Sequence, residues 1–122
     1  GVAMALRHKW PQIYQPYRDM IDYYGLDYDR IMGKISTIRI DENTVVVNAI
    51  TQRYYGSYGA RYVSYDALTI AFESITVMAE QLRQPIVIPQ IGAGLGGGKW
   101  NIIKAIIEET VYVEIPIKLV IL

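Results

Sequence analysis

The sequence predicts an α/β domain in which helices layer against a partly parallel sheet. Apolar residues follow helical and alternating periods in the order α, β, β, α, β, α, β. The run Pro85-Ile86-Val87-Ile88-Pro89, a glycine-rich turn and the apolar segment 101–110 stand in the order strand, turn, helix. Hydrophobic residues form 52% of the 122, which fits a folded chain and not a disordered one. That length suits a single domain, residues 1–122, with one modest core.

Residues 1–10, with Ala3, Met4, Ala5 and Leu6, read as helical. Pro11 interrupts or restarts the helix, because proline is accepted in a first turn and not in an interior. Ile13, Tyr17, Met20, Ile21 and Tyr24 then recur at helical spacing, and Gly25 supplies a stop. Asp27 and Asp29 around Tyr28 read as a charged turn. Ile35, Thr37 and Arg39 alternate with Ser36, Ile38 and Ile40, and the β-branched run Val45-Val46-Val47 follows the turn residues Asp41-Glu42-Asn43-Thr44. Together they predict a hairpin whose second strand ends near Asn48-Ala49-Ile50. A loop from 51 to 63 holds Tyr54, Tyr55, Gly56, Tyr58, Gly59 and Tyr62. Ser64 is an N-cap for a long helix, with Asp66 in its first turn. Leu68, Ala71, Phe72, Ile75, Ala79 and Leu82 give that helix one apolar face as far as about Arg83. A strand over 86–90, the glycine turn, a helix from 101 and a last strand over 115–122 complete the order. Pro116 places that strand at an edge or starts it. Such a four-stranded sheet is thin for the apolar content. The chain also opens on Gly1-Val2-Ala3 without methionine, so elements ahead of Gly1 are expected to be missing or supplied by another chain.

Composition removes several function classes. Twelve basic residues balance twelve acidic ones, so bulk electrostatics give no reason to expect nucleic acid as a partner. No apolar run approaches the ~20 residues needed to span a bilayer, and no signal pattern opens the chain. A membrane role is not expected, and cytoplasmic residence follows by default. There is no cysteine, which removes disulfides and thiolate metal sites. With His8 as the lone histidine, no metal site is expected.

The chemistry concentrates in Ile91-Gly92-Ala93-Gly94-Leu95-Gly96-Gly97-Gly98-Lys99-Trp100, where five of ten residues are glycine. Glycine lets the backbone approach an anion and reach positive φ. Successive amides then point into one concavity, and the following helix adds its dipole. A mobile turn is the plainer alternative, but five glycines carry a large entropy loss on ordering. Lys99 is followed by Trp100 and not by serine or threonine, so this is no Walker loop. Gly92-Ala93-Gly94-Leu95-Gly96-Gly97 fits the dinucleotide fingerprint loosely. It stands near the C-terminus, however, and residues 115–122 hold no acid for a ribose.

Gly1-Val2-Ala3, Asn48-Ala49-Ile50-Thr51-Gln52, and Pro89-Gln90-Ile91-Gly92-Ala93-Gly94-Leu95-Gly96-Gly97 with Trp100 resemble the macro domain family over essentially the whole chain. The likeness is nearest to small phage and microbial ADP-ribose 1''-phosphate phosphatases. It implies a three-layer α/β/α fold with a mixed, partly parallel sheet, and ADP-ribose or its 1''-phosphate as ligand, with no cofactor. It also implies a ligand-binding set of Gly1, Val2, Ala3, Ile91, Gly92, Ala93, Gly94, Leu95, Gly96 and Gly97. Residues 92–97 would wrap the diphosphate and distal ribose, and Gly1, Val2 and Ala3 would be the tail of a second glycine-rich loop. The family's adenine-reading acid and Asn-rich segment would lie before Gly1. A related branch releases ADP-ribose from proteins or DNA with a lysine ahead of the long helix and, in some members, an aspartate in the glycine loop. Arg61 or Tyr62, and Gly96, stand there instead, and arginine does not deprotonate to act as a base.

Thr51 and Gln52 leave a strand end, where open α/β sheets take ligands, and join the candidate set. Lys99 either neutralises phosphate or is a solvated surface lysine. Trp100 either packs the turn onto the sheet or stacks on a base. The tyrosine-rich loop offers adenine a stacking face or simply covers core. His8 is a general acid–base candidate or a solvated residue. No catalytic residue is assigned. A non-catalytic ADP-ribose-binding module, a fragment with a half-built cleft and a de-ADP-ribosylating hydrolase remain alternatives to the phosphatase.

Overall fold

The computed structural model describes residues 2–25, 27–52, 63–89, 98–111 and 114–120. Helix α1 (Val2–Lys9) ends before Trp10, and Pro11 opens a 3-10 turn, Pro11–Ile13. Helix α2 (Tyr14–Tyr24) accepts Pro16 in its first turn, where no internal donor is lost. It stops at Gly25, whose φ of 64° closes the last turn through a hydrogen bond from its N–H to Ile21 O. The Asp27–Asp29 segment is more than a turn. A short helix α3 (Tyr28–Ile31) forms when the amides of Arg30 and Ile31 both donate to Asp27 O, and it inserts Ile31 completely into the interior. Four residues are too few to show a period, so burial of Ile31 and not sequence pattern sets this helix.

Strands β1 (Ile35–Asp41) and β2 (Thr44–Ala49) form the expected antiparallel hairpin. Asp41 Oδ1 accepts from Asn43 N–H at 2.8 Å and fixes the turn, and the ladder slips by a bulge between Arg39 and Asp41. Register places Ser36 opposite Asn48 and Ile38 opposite Val46, so these four share one face. That face meets the N-terminal helices: Asn48 Nδ2 donates to Ile13 O at 3.4 Å, and Ile13, Val46 and Ser36 are buried.

Helix α4 (Tyr65–Leu82) runs between an N-cap at Ser64 and a C-cap at Arg83, which holds a left-handed φ of 54°. Strand β3 (Ile86–Pro89) pairs in parallel with β4 (Ile117–Val120), Ile86 opposite Ile117. Pro116 stands just ahead of β4 and loses nothing by lacking a donor, because its carbonyl accepts from Ile86 N–H at 2.9 Å. Helix α5 (Trp100–Thr110) connects them, starting one residue earlier than expected. The core is the seam between α4, α5 and the inner face of β3, built from Leu68, Phe72, Ala79, Ile86, Ile88, Ile103 and Ile107. The sheet thus mixes antiparallel and parallel pairing, as expected. Among the described residues, however, its strands join as two pairs and not as one four-stranded ladder.

The α4 cap is a measurable device. Ser64 Oγ accepts from Ala67 N–H at 3.1 Å, and the Ser64 amide donates to Thr51 O at 2.6 Å. Replacing Ser64 with alanine leaves one helix amide without its acceptor and is expected to lower stability by about 1 kcal/mol. Urea titration of the Ser64→Ala protein reads this directly, and an unshifted midpoint would mean that the cap is replaceable by solvent.

Candidate functional site

Three chain segments meet at one end of the fold. The first is the exit of β2, where Ile50 N–H donates to Lys34 O at 2.9 Å and Gln52 forms an isolated antiparallel bridge with Val63. The second is the N-terminus of α4, tied to the first by the Ser64–Thr51 hydrogen bond. The third is the entry to α5, where Lys99 N–H donates to Tyr65 Oη at 3.0 Å. Two hydrogen bonds, Ser64 to Thr51 and Lys99 to Tyr65, therefore bring the neighbouring pairs Thr51–Gln52 and Ser64–Tyr65 together with Lys99, although these residues span 49 positions of the chain.

The two helix entries differ. Helix α4 carries its own anionic complement, with Ser64 as cap and Asp66 in the first turn. Helix α5 has neither: Lys99 occupies the N-cap in extended geometry, makes no side-chain cap hydrogen bond, and no acid follows in the first turn. Among the described residues, no side chain caps the positive end of α5 and no acid stands in its first turn. Its backbone closes quickly into the helix, with Ile102 and Ile103 both donating to Lys99 O. Trp100 is half-buried and packs against the core cluster. The Lys99 side chain is exposed.

Of the candidate residues, Thr51 and Gln52 lie at this junction and are partly exposed. Val2 and Ala3 form the first turn of α1. Gly1, Ile91, Gly92, Ala93, Gly94, Leu95, Gly96 and Gly97 lie outside the described residues, as do Arg61 and the tyrosines at 54, 55, 58 and 62. Two described positions nevertheless bracket the glycine stretch: β3 ends at Pro89, and α5 begins at Trp100 beside α4. His8 on α1 and Asp27 and Asp29 at α3 are exposed. Tyr65 was not legible as a site residue. A contact between positions 34 apart leaves no local trace, and a tyrosine after a serine cap carries no motif.

Two surface cavities open elsewhere. One of about 300 Å³ lies between the end of α4 and the starts of β3 and β4, lined by Glu80, Arg83, Glu114 and Pro116 among others. The other, of about 390 Å³, is lined by Met4, Arg7, His8 and Pro11. Neither borders the meeting of the helix N-termini, and the first sits at the opposite end of the parallel pair.

No protein-family model matches the chain, and no curated protein is significantly similar to it. Solved structures do match. A protein of unknown function from Bacteroides thetaiotaomicron superposes with a TM-score of 0.81 at 26% identity, over 100% of this chain and 78% of its own. A macrodomain protein from Streptomyces coelicolor does so with a TM-score of 0.76 at 25% identity, over 98% of this chain and 76% of its own. This chain has the macro domain fold. The macrodomain of Thermus aquaticus DarG shares the fold, with a TM-score of 0.73 at 20% identity over 98% of this chain and 78% of its own. The macro domain fold accounts for the α/β pattern. No helix among the described residues is long and apolar enough to cross a membrane.

Proposed function

We propose that this macro domain binds ADP-ribose at the meeting of β2, α4 and α5, and hydrolyses the 1''-phosphate monoester of that ligand. The observation that carries the reading is the α5 entry, an uncapped helix start that follows directly on the glycine stretch. In this reading the amides of residues 92–97 hold the diphosphate, and the α5 dipole adds to their field. Thr51 and Gln52 offer polar side chains at the strand exit. Preorganised backbone donors would orient the terminal phosphate toward water and stabilise charge gathering on its oxygens in the transition state. Gly1, Val2 and Ala3 complete the proposed contacts.

Incubation with ADP-ribose 1''-phosphate tests the chemistry, with inorganic phosphate as readout. Affinity for ADP-ribose without phosphate release would leave a binding module and remove the phosphatase. Release of ADP-ribose from a modified protein or nucleic acid would favour the hydrolase alternative instead. The cradle has its own test. A valine in place of Gly94 fills the space that a phosphate oxygen needs, so Gly94→Val is expected to weaken ADP-ribose binding by about a hundredfold or more, through lost amide contacts. Calorimetry on a variant with an unchanged melting temperature reads the effect. Equal affinity in that folded variant places the site elsewhere.

A further inference from the structure

We propose that the surface of α1, α2 and α3 binds single-stranded nucleic acid, stacking bases on its tyrosines and pairing phosphates with its cations. The proposal is independent of the ADP-ribose reading, because it uses none of the side chains assigned to that ligand.

Four cations between positions 7 and 34 lie against aromatic rings. The Arg7 guanidinium carbon stands 3.8 Å from the centre of the Tyr14 ring, and Lys9 Nζ stands 4.7 Å from that of Trp10. Arg30 and Lys34 share one ring, that of Tyr24, at 5.4 and 5.8 Å. All four cations are exposed, and among the described residues none of them is in an ion pair. Such contacts occur about once per 70–80 residues, so four in so short a stretch are a concentration and not a background. Helix geometry joins them. Tyr14, Tyr17 and Tyr24 are half-buried along one side of α2, and the first two rings have their centres 6.2 Å apart. From Tyr17 to Tyr24 is two helical turns, about 10 Å. Tyr23 meets Tyr24 edge to face, with 4.9 Å between ring centres. It is 77% exposed, and among the described residues no cation covers its ring.

Repetition points to the occupant. A cation beside an aromatic face recurs at both ends of α2, which suits a ligand whose own units repeat a base and a phosphate. A free nucleotide needs an enclosing pocket, and neither cavity described above is lined by Tyr23, Tyr24, Arg30 or Lys34. Charge alone does not select the ligand. Asp19 accepts from Gln15 Nε2 at 2.7 Å and Asp22 pairs with Arg18 at 3.2 Å, but Asp27 and Asp29 stand exposed at α3. A polyanion without bases meets repulsion from these acids beside its attraction to the cations. Stacking on tyrosine adds a contribution that the acids do not oppose.

Fluorescence anisotropy with a labelled oligothymidine strand tests this, with its duplex and linear polyphosphate as competitors. The wild-type protein is expected to prefer the strand over the duplex by about tenfold or more, because paired bases offer no free face. Arg30→Gln combined with Lys34→Gln is expected to weaken strand binding by about tenfold. It should also flatten the slope of log affinity against log salt by about 1.4, the loss of two phosphate contacts. Tyr23→Ala is expected to weaken binding by about fivefold to a hundredfold with the salt slope unchanged. A side chain that merely covers the surface would move neither reading. Absence of strand binding, displacement by polyphosphate as effective per charge as by the strand, or full affinity in either variant overturns the proposal. Should a variant not fold, amide shifts of the wild-type protein on adding the strand decide. Changes gathered on Tyr23, Tyr24, Arg30 and Lys34 support the surface, and changes confined elsewhere overturn it.

Discussion

Gly33→Ala is expected to lower the stability of this protein by about 3 kcal/mol, a shift of roughly 10 °C in its melting temperature. Two separate effects combine. Gly33 holds φ at +87°, which residues with a Cβ rarely adopt. A Cβ there would also lie 2.8 Å from Ile70 Cγ2 and 2.9 Å from Ile70 Cβ, well inside contact distance. Rotation about χ1 of Ile70 can move Cγ2 but not Cβ, which the α4 backbone fixes. Relief therefore requires α4 to move away from the turn that precedes β1. The same turn supports the strand exit, for Gly33 N–H donates to Ile50 O at 2.8 Å, next to Thr51. Pairing Gly33→Ala with Ile70→Ala removes Cγ2 but keeps the Cβ, so the double variant should recover part of the loss and not all of it. Full recovery would show that sterics alone mattered and that the backbone tolerates the substitution. No loss in the single variant would mean that α4 and the turn separate freely.

Phe72→Ala should be still more damaging, by about 3–5 kcal/mol. Phe72 is 2% exposed and occupies the seam where α4 meets β3 and α5, in one cluster with Leu68, Ile88, Ile103 and Ile107. Truncation removes apolar burial and leaves a cavity that three separate elements would have to close together. Against a typical total of about 5–15 kcal/mol for a domain, such a loss populates the unfolded state measurably. Val77 on the same helix is 48% exposed, and Val77→Ala should stay within about 0.5 kcal/mol. Equilibrium denaturation of the two variants compares the faces of α4 directly. Similar midpoints would mean that this seam does not govern stability.

How far the sequence carried depended on the range of the interaction involved. The α4 boundaries were readable because a serine cap and an apolar stripe of period 3.6 are local signals, and Ser64 and Arg83 end the helix as anticipated. The hairpin was readable for the same reason, through alternation and an Asp-Glu-Asn turn. Helix α3 was not, because it exists to bury Ile31 and has too few residues to show a period. The candidate site divides along the same line. Its glycine stretch announces itself by composition, whereas the contact of Tyr65 with Lys99 joins residues far apart in the chain.

By itself the sequence determined the α/β class, most element boundaries, the glycine-rich stretch and the likeness to macro domains. Caps, turns and periodic apolar faces act over a few residues, so each is written where it operates. Only the tertiary structure decided that, among the described residues, the two strand pairs stay separate, that Trp100 packs against the core, and that the β2 exit is hydrogen-bonded to the start of α4, and α4 in turn to the start of α5. Those outcomes depend on which distant surfaces meet when the core closes, and no local pattern encodes the meeting of residues 51, 65 and 99.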